Sequence, residues 1–513
     1  MMSTPDSDAI SAISGRSSFG AYDETRLRDN ARSLNTLLRG ILDNCRYWKI
    51  PPRHFRTASM SINSIFFFLF RLLARWRQPR LAAWLLYLGT RSLAHGGPKR
   101  SYRALVMTRT GFFQDIEETF RKDQNYDIVV WPSYALKAFA SAILSPSLDH
   151  NFYLTDDREI EATKRAYRDF LAQTWTHFSK LMKIDVVLTG NFSYCAEREF
   201  AAMLETAGIP FIAIHKENVR PPKRVEYWRF LYKERRGPFT GRKILVYNDI
   251  ERELQISSGI AAPDKIVVTG APRLDRLHRW RHENASATVD STTPQVLFFA
   301  FARHEKLTAI QRKPSAGIAG NMEQMDGDWG KLGWEELGQG AHQAMIELAR
   351  RRPDIKVVVK TKGQNRKKDD ILLMLRSTQE PLPPNLEVVP GGDPFELMMK
   401  SRVVIGFNTT GLLEALAAGK PVIVPWFGEA QRPAMREHII DLWDSVTYAQ
   451  SRDELIETVT HLVDNPVQPP DELNAPSEKA LDYWVKNRDG GAAKRVLTEI
   501  SNEVLRQSAS QSE

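Results

Sequence analysis

Cysteine is almost absent: Cys45 and Cys195 are the two in 513 residues. Thiols that few and that far apart make neither a disulfide framework nor a zinc cluster, so the fold has to rest on its apolar core, and a reducing compartment suits it. Long apolar runs are lacking too. The most apolar stretch, Ile65-Phe66-Phe67-Phe68-Leu69-Phe70, runs into Arg71, Arg75, Arg77 and Arg80, well short of the roughly 20 apolar residues a spanning helix needs. The start of the chain, with Asp6 and Asp8, has no basic segment, apolar stretch and small-residue cleavage site of a secretory signal, so a cytoplasmic protein is expected. Two nucleotide-binding signatures are missing as well. No G-x-G-x-x-G follows a strand, which removes the case for a dinucleotide cofactor, and Gly406 and Gly411 are followed by Leu412-Leu413 rather than the Lys-Ser/Thr of a P-loop. Neither a cofactor nor a bound metal is expected.

What is present is an ordinary globular composition, 42% hydrophobic and 26% charged, on a chain long enough for two large domains plus extensions. Lys and Arg outnumber Asp and Glu by 71 to 62, a formal charge of +9, which fits a polyanionic partner such as nucleotide phosphate or anionic lipid. Residues 1–100 read as a helical, basic extension. From Arg103 the pattern changes to short β-branched runs separated by helix-length stretches: Arg103–Thr108, Tyr126–Trp131, Ile184–Thr189, Pro210–Ile214, Lys243–Tyr247 and Lys265–Thr269. That alternation predicts a parallel sheet with crossover helices, here a first domain over 101–281. The polar stretch His282–Pro294 reads as a linker. Alternation restarts with Gln295–Phe301, Ile355–Lys360, Leu386–Val389, Arg402–Gly406 and Pro421–Pro425, a second α/β domain over 295–475. Residues 476–513 close the chain as two helices expected to pack back on the first domain. The predicted fold class is therefore α/β, two Rossmann-like domains facing each other across a cleft, with an N-terminal helical extension.

The segment Val403–Pro425 is the most informative: a strand, a small polar turn, a short helix and another strand. Helix N-termini offer unpaired N–H groups and a positive dipole end, so Asn408, Thr409, Thr410 and Gly411 sit where a diphosphate would be held. Glu414 lies one turn further on the face of Thr410, where a carboxylate would accept both hydroxyls of a ribose. A plain structural role also accounts for the pattern, with a threonine capping the helix and Glu414 complementing its dipole. Lys360 and Lys362 project to one side at a strand's carboxyl end, where doubly wound sheets bind ligands. They are candidates to neutralise a leaving diphosphate, although Arg366, Lys367 and Lys368 follow and the whole run also reads as a solvated face. Arg303, at the end of the first strand of the second domain, is a further phosphate candidate.

The run Asn408–Pro425 resembles the donor-nucleotide motif of GT-B glycosyltransferases, particularly their surface-carbohydrate and CDP-glycerol glycerophosphotransferase-like branches. Thr269-Gly270-Ala271-Pro272-Arg273-Leu274-Asp275 is similar to the "TG-x-PR-x-D" ending of the N-terminal domain in those families. Asp489-Gly490-Gly491-Ala492-Ala493-Lys494-Arg495 is similar to their "DG-x-A-x-x-R" tail. The resemblance implies a metal-independent transferase that moves a sugar from a nucleotide-sugar donor to a glycan or lipid-linked acceptor. One departure counts against the polyol-phosphate branch: its members carry a basic residue followed by His-Pro where this chain has Lys360-Thr361-Lys362-Gly363. A nucleotide-sugar 2-epimerase shares the fold and the phosphate-binding helix, and a non-catalytic basic scaffold on membrane or nucleic acid is the alternative from outside enzymology, with nucleic acid not expected.

An inverting transfer needs a base for the acceptor hydroxyl. Asp115, His215, Glu217 and Asp275 are the candidates, in loops expected to face the cleft with Thr108–Gly111 and Gly190-Asn191. In the N-terminal extension, Ile65, Phe66, Leu69, Phe70, Leu73 and Trp76 recur at helical spacing beside the arginines. That stripe suits either an interfacial helix on an anionic membrane, at the inner face of the cytoplasmic membrane, or a helix packed on the first domain.

Overall fold

The fold comes from a computed structural model that describes residues 62–510 apart from 95–99, 108–111, 133–134, 150–152, 286–292, 308–309, 312–321, 324–331, 362–370, 372–380 and 392. The loop Thr108–Gly111, most of the linker and Lys362 thus lie outside the described residues. The short apolar runs become the strands of two sheets. The first contains β1 (Arg91–Ala94), β2 (Tyr102–Val106), β3 (Tyr126–Val130), β4 (Val186–Thr189), β5 (Phe211–Ile214), β6 (Lys243–Val246) and β7 (Ile266–Val268). The second is built from β8 (Gln295–Phe299), β11 (Lys356–Thr361), β12 (Leu386–Pro390), β13 (Ser401–Gly406), β14 (Val422–Pro425) and β15 (Thr447–Ala449). The two-residue strands β9 (Ile310–Gln311) and β10 (Met322–Glu323) pair separately. Runs such as Val357-Val358-Val359 and Val403-Val404-Ile405 are buried throughout, as strands covered by helices on both faces must be.

The strand orders are β1-β3-β2-β4-β5-β6-β7 and β12-β11-β8-β13-β14-β15. Within these two sheets every pairing is parallel except β1 with β3. Two Rossmann-like α/β domains are what the alternation predicted. In each sheet the order reverses once, between β2 and β4 and between β8 and β13, and crevices at such reversals, outside the carboxyl ends, are where open α/β sheets take ligands. Within the two sheets the sequence reading missed β1 and β15, and outside them the two-residue β9 and β10. All four are short, and β1 (Arg-Ser-Leu-Ala) lies at a sheet edge with half its residues polar, so it carries no buried-strand signature.

The helices Ile62–Arg75 and Pro79–Gly89 form a hairpin on the first domain. Leu69, Phe70, Ala74, Ala82, Ala83, Leu85 and Leu86 are buried in that domain's core, and the Phe70 and Phe139 rings meet edge to face at 5.3 Å. At the other end of the chain, Ala475–Val485 lies on the second domain, with Trp484 Nε1 donating to the Asp441 carbonyl at 2.7 Å. The chain then turns at Lys486, which has φ of +43°. The helix Ala492–Ser510 crosses back, placing Val496, Ile500 and Val504 in a core with Phe112, Ile116 and Phe120 of the first domain.

Candidate functional site

Residues that follow strands of both sheets meet at one place. Arg273 follows β7 and donates to Asp115, at the start of the helix after β2, from its backbone N (3.1 Å), Nε (3.2 Å) and Nη2 (2.9 Å). Tyr247, just past β6, donates its hydroxyl to the same carboxylate at 2.9 Å. One turn on, Arg276 reaches across to the second domain and forms a two-pronged ion pair with Asp393, 2.5 and 2.8 Å, over the Phe395 ring. Asp393 in turn accepts the Phe395 N–H at 3.0 Å, so one carboxylate starts a helix and joins the domains. The carboxyl ends of the two sheets therefore face each other.

On the second-domain side, the helix Thr410–Ala417 begins at the β8/β13 reversal. Thr409 is its cap, its hydroxyl accepting from the Gly411 N–H at 3.3 Å. A side chain at Gly411 would stand 2.7 Å from the Phe299 ring, so glycine there lets the helix sit close on β8. Asn408 takes a left-handed φ of +50° and bridges the neighbouring loop, donating to the His438 carbonyl and accepting from the Ile440 N–H, both at 2.8 Å. Its side chain is committed to that loop rather than to a ligand, which corrects the phosphate role expected of it. Thr410 is half-buried.

Glu414 is different. It is 7% exposed, and its carboxylate accepts no hydrogen bond from any described residue. Burial raises its pKa, partly offset by the facing Arg273 and Arg276 guanidinium groups. Lys360, buried in β11, donates to the Thr361 carbonyl at 3.0 Å; burial lowers its ammonium pKa, with Asp393 pulling the other way. Arg303 is half-exposed and ion-paired with Glu335, so a phosphate would have to compete with that carboxylate.

The four candidate bases fare unequally. Asp115 is fully buried with both oxygens occupied, so it holds Arg273 in place and is not available as a base. Asp275 caps the returning helix, accepting from Asn487 Nδ2 (2.7 Å), Ala492 N (3.2 Å) and Ala493 N (2.9 Å); that joint, not the cleft, is its place. The two segments quoted for their family resemblance are thus direct partners. Arg495 Nε also donates to the Thr269 carbonyl at 2.8 Å, and at Gly270, with φ of +83°, a Cβ would come within 2.4 Å of the Lys486 carbonyl oxygen. His215 is buried, with Nε2 3.3 Å from Glu251 Oε1. Glu251 also takes Arg220 Nε (2.6 Å), the Tyr232 hydroxyl (3.0 Å) and Gln255 Nε2 (2.9 Å). Burial alone would raise the Glu251 pKa, but Arg220 and His215 pull it down to about 2, so His215 belongs to an interior ionic network.

Glu217, two residues on, is exposed. Desolvation pushes its pKa up, yet Arg220, His215, Lys216 and Arg224 outweigh it and hold the carboxyl below its ordinary value. Its loop faces the second domain: Lys306 Nζ donates to the Val219 carbonyl at 3.2 Å and Arg224 Nη1 to the Leu307 carbonyl at 3.5 Å. Sequence reasoning overlooked Arg276, Asp393, Arg224 and Lys306 as cleft residues. Arg276 had a signal, one residue beyond the quoted segment ending in Asp275, whereas Asp393-Pro394-Phe395-Glu396 carries in sequence only the signature of a helix start. Among the described residues, no group of three or more His, Cys, Asp or Glu side chains is placed to hold a metal ion.

No protein-family model matches the chain, and neither does any curated protein. Among solved structures it is similar to UDP-GlcNAc 2-epimerase from Neisseria meningitidis bound to UDP-GlcNAc, at 15% identity and a TM-score of 0.42 over 78% of this chain and 100% of that one. It is also similar to a UDP-forming α,α-trehalose-phosphate synthase from Burkholderia xenovorans, at 10% identity and a TM-score of 0.42 over 80% and 99%. A third is the Methanocaldococcus jannaschii UDP-GlcNAc 2-epimerase in complex with UDP-GlcNAc and UDP, at 12% identity and a TM-score of 0.40 over 78% and 99%. At these identities and TM-scores the likeness says nothing of substrate or reaction.

Proposed function

We propose that the chain is a metal-independent glycosyltransferase that takes a nucleotide-sugar donor on its second domain and transfers the sugar to a glycan or lipid-linked acceptor held by the first. The observation that carries this reading is Glu414: a buried carboxylate without a hydrogen bond, one turn into a helix that starts at a sheet reversal. Its oxygens are not sealed from solvent and face Arg273 and Arg276, and two ribose hydroxyls are donors of the right kind and spacing to take the place of water there. The helix N-terminus, the Thr410 hydroxyl and the ammonium groups of Lys360 and Lys362 then take the diphosphate. Transfer breaks the bond from the anomeric carbon to the diphosphate oxygen, which leaves with the electron pair, while the acceptor oxygen bonds to that carbon and gives up its proton. Glu217 is the carboxylate on the acceptor side. Its depressed pKa keeps it ionised and able to take the proton, though with a small driving force.

The competing reading is epimerisation at C2 of the same kind of donor, the activity for which two of the neighbours above are named. The two differ in what they consume. A thermal-shift panel of UDP, GDP, CDP, CMP and dTDP identifies the base, because a ligand bound by the native state alone raises its stability. The corresponding nucleotide sugar is then incubated with and without acceptor. Transfer predicts free nucleoside diphosphate only when acceptor is present; an epimerised nucleotide sugar formed without acceptor contradicts it. No stabilisation by any nucleotide, with steeply salt-dependent binding to polyanions, contradicts both and leaves the scaffold reading.

A further inference from the structure

The N-terminal hairpin has two faces, and the fold uses one of them. Opposite the buried Leu69, Phe70, Ala74, Ala82, Ala83, Leu85 and Leu86, its outer face leaves Phe68 57%, Trp76 61%, Leu81 52% and Trp84 41% exposed. Phe68, Leu72 and Trp76, the last just past the end of the first helix, follow one another at four-residue spacing, and in the second helix Leu81, Trp84 and Leu88 recur at three and four, so each set forms one stripe. Arg71, Arg75, Arg77 and Arg80 are exposed among them. No ion pair reaches these arginines from a described residue, and the one side-chain hydrogen bond they make to a described residue is from Arg77 to the Ala166 carbonyl, 2.8 Å. Their charge is uncompensated in sequence as well: no Asp or Glu occurs between Asp43 and Asp115. Among the described residues no helix is long and apolar enough to cross a membrane.

We infer that this outer face seats the first domain on an anionic lipid surface, its Trp, Phe and Leu side chains entering the headgroup boundary and its arginines meeting lipid phosphates. Both halves of that recognition are present: an aromatic and aliphatic stripe of the kind that settles at the interface, and unpaired cations, each of which strengthens binding to an anionic leaflet about fivefold. Because the inner face is core, the hairpin cannot leave the domain to insert, so the whole first domain is held in one orientation. The inference rests on the hairpin alone and stands apart from the donor-site reading, to which it would add a reason for a lipid-linked acceptor.

The test uses the full chain, since removing the hairpin would open the core. Binding to phosphatidylcholine vesicles is compared with binding to vesicles of phosphatidylcholine and phosphatidylglycerol, for the natural protein, Trp76→Ser/Trp84→Ser and Arg71→Gln/Arg75→Gln. All four positions are exposed, so melting temperature and nucleotide-induced stabilisation are expected to stay unchanged. The inference predicts binding to the anionic vesicles alone, roughly twentyfold weaker with the arginines replaced, and weakened again with the tryptophans replaced. It also predicts that bromine-labelled lipid quenches tryptophan fluorescence of the natural protein and loses most of that effect in Trp76→Ser/Trp84→Ser. Equal binding to both vesicle types, no loss in either variant, or quenching that survives the tryptophan replacements would overturn it. A dimer that the tryptophan variant dissociates would overturn it too, by giving the face to a second copy, as would oligonucleotide binding that needs the arginines while vesicle binding does not.

Discussion

Asp115 and Glu414 are both buried acidic side chains facing Arg273, one from each domain, and they have been treated in opposite ways. Asp115 has both oxygens filled by Arg273 and Tyr247. Glu414 accepts nothing from any described residue and has its pKa raised by burial. A buried carboxylate whose bonds are complete is structure, because the fold has met its full requirement. One that is left incomplete, as the nearby Arg276 Nε also is, is a place where something else can complete it. The same contrast separates Asp275, occupied by a helix N-terminus, from the exposed Glu217 in the acceptor-side loop.

The comparison is sharpened most by removing the satisfied member. Asp115→Ala strips the half-buried Arg273 of its hydrogen-bonded counter-charge and leaves it only the facing Glu414, which costs about 3 kcal/mol; chemical denaturation of the ligand-free protein should show a loss of that size. A change under 1 kcal/mol would mean that the pair is not structural and that the distinction fails at its first term.

Asp275 comes next. Asp275→Ala removes the cap of the returning helix and should cost about 1 kcal/mol. Its pH dependence is a second handle. Burial, against the opposing bonds from Ala493, Asn487 and Ala492, raises this carboxyl from 3.8 to about 6. The folded state thus holds the proton more tightly than the unfolded chain, so the group's contribution is complete below pH 3.8 and lost as pH rises through about 6. The stability of the natural protein relative to Asp275→Asn should therefore fall across that window, measured by denaturation at a series of pH values. A flat difference contradicts the placement.

A smaller effect is expected at Thr410, whose hydroxyl is proposed to hold phosphate, the cap bond being made by Thr409. Thr410→Val keeps the volume, and should weaken nucleoside diphosphate binding about fivefold, the worth of one hydrogen bond, with nucleoside binding and apo melting unchanged. Equal loss for diphosphate and nucleoside would remove the hydroxyl from the phosphate.

How much of this was legible beforehand depended on whether the deciding contact was local. All eleven expected strands form, with ends moved by one or two residues, because a buried parallel strand is its own signal. Gln295–Phe301 gave up Ala300 and Phe301 in the same way, and β1 escaped because a short polar edge strand has none. At the site, the strand, turn and helix over Val403–Ala417 could be placed from the sequence, and so could a threonine cap, though not which of Thr409 and Thr410 makes it. The commitments of Asn408 and Asp275 could not, since they are settled by His438, Ile440, Asn487 and Ala492, far along the chain. An acidic residue after a strand reads alike whether it faces a substrate or caps a distant helix. The quoted segments around Arg273 and Arg495 likewise gave no sign that they would bond to each other.

The most direct test of the central claim is Glu414→Gln, followed by apo melting and by affinity for a ribo- and a 2′-deoxyribonucleoside diphosphate of the preferred base. If Glu414 awaits a ribose, the neutral amide relieves a buried charge, so the ligand-free protein at neutral pH should melt at the same or a higher temperature, by up to about 1 kcal/mol in stability. Ribonucleotide affinity should fall about tenfold, and the loss should shrink with the deoxy ligand, which has one hydroxyl fewer to lose. A lower apo melting temperature, with ribo and deoxy affinities reduced alike or not at all, would make Glu414 part of a helix and not of a donor site.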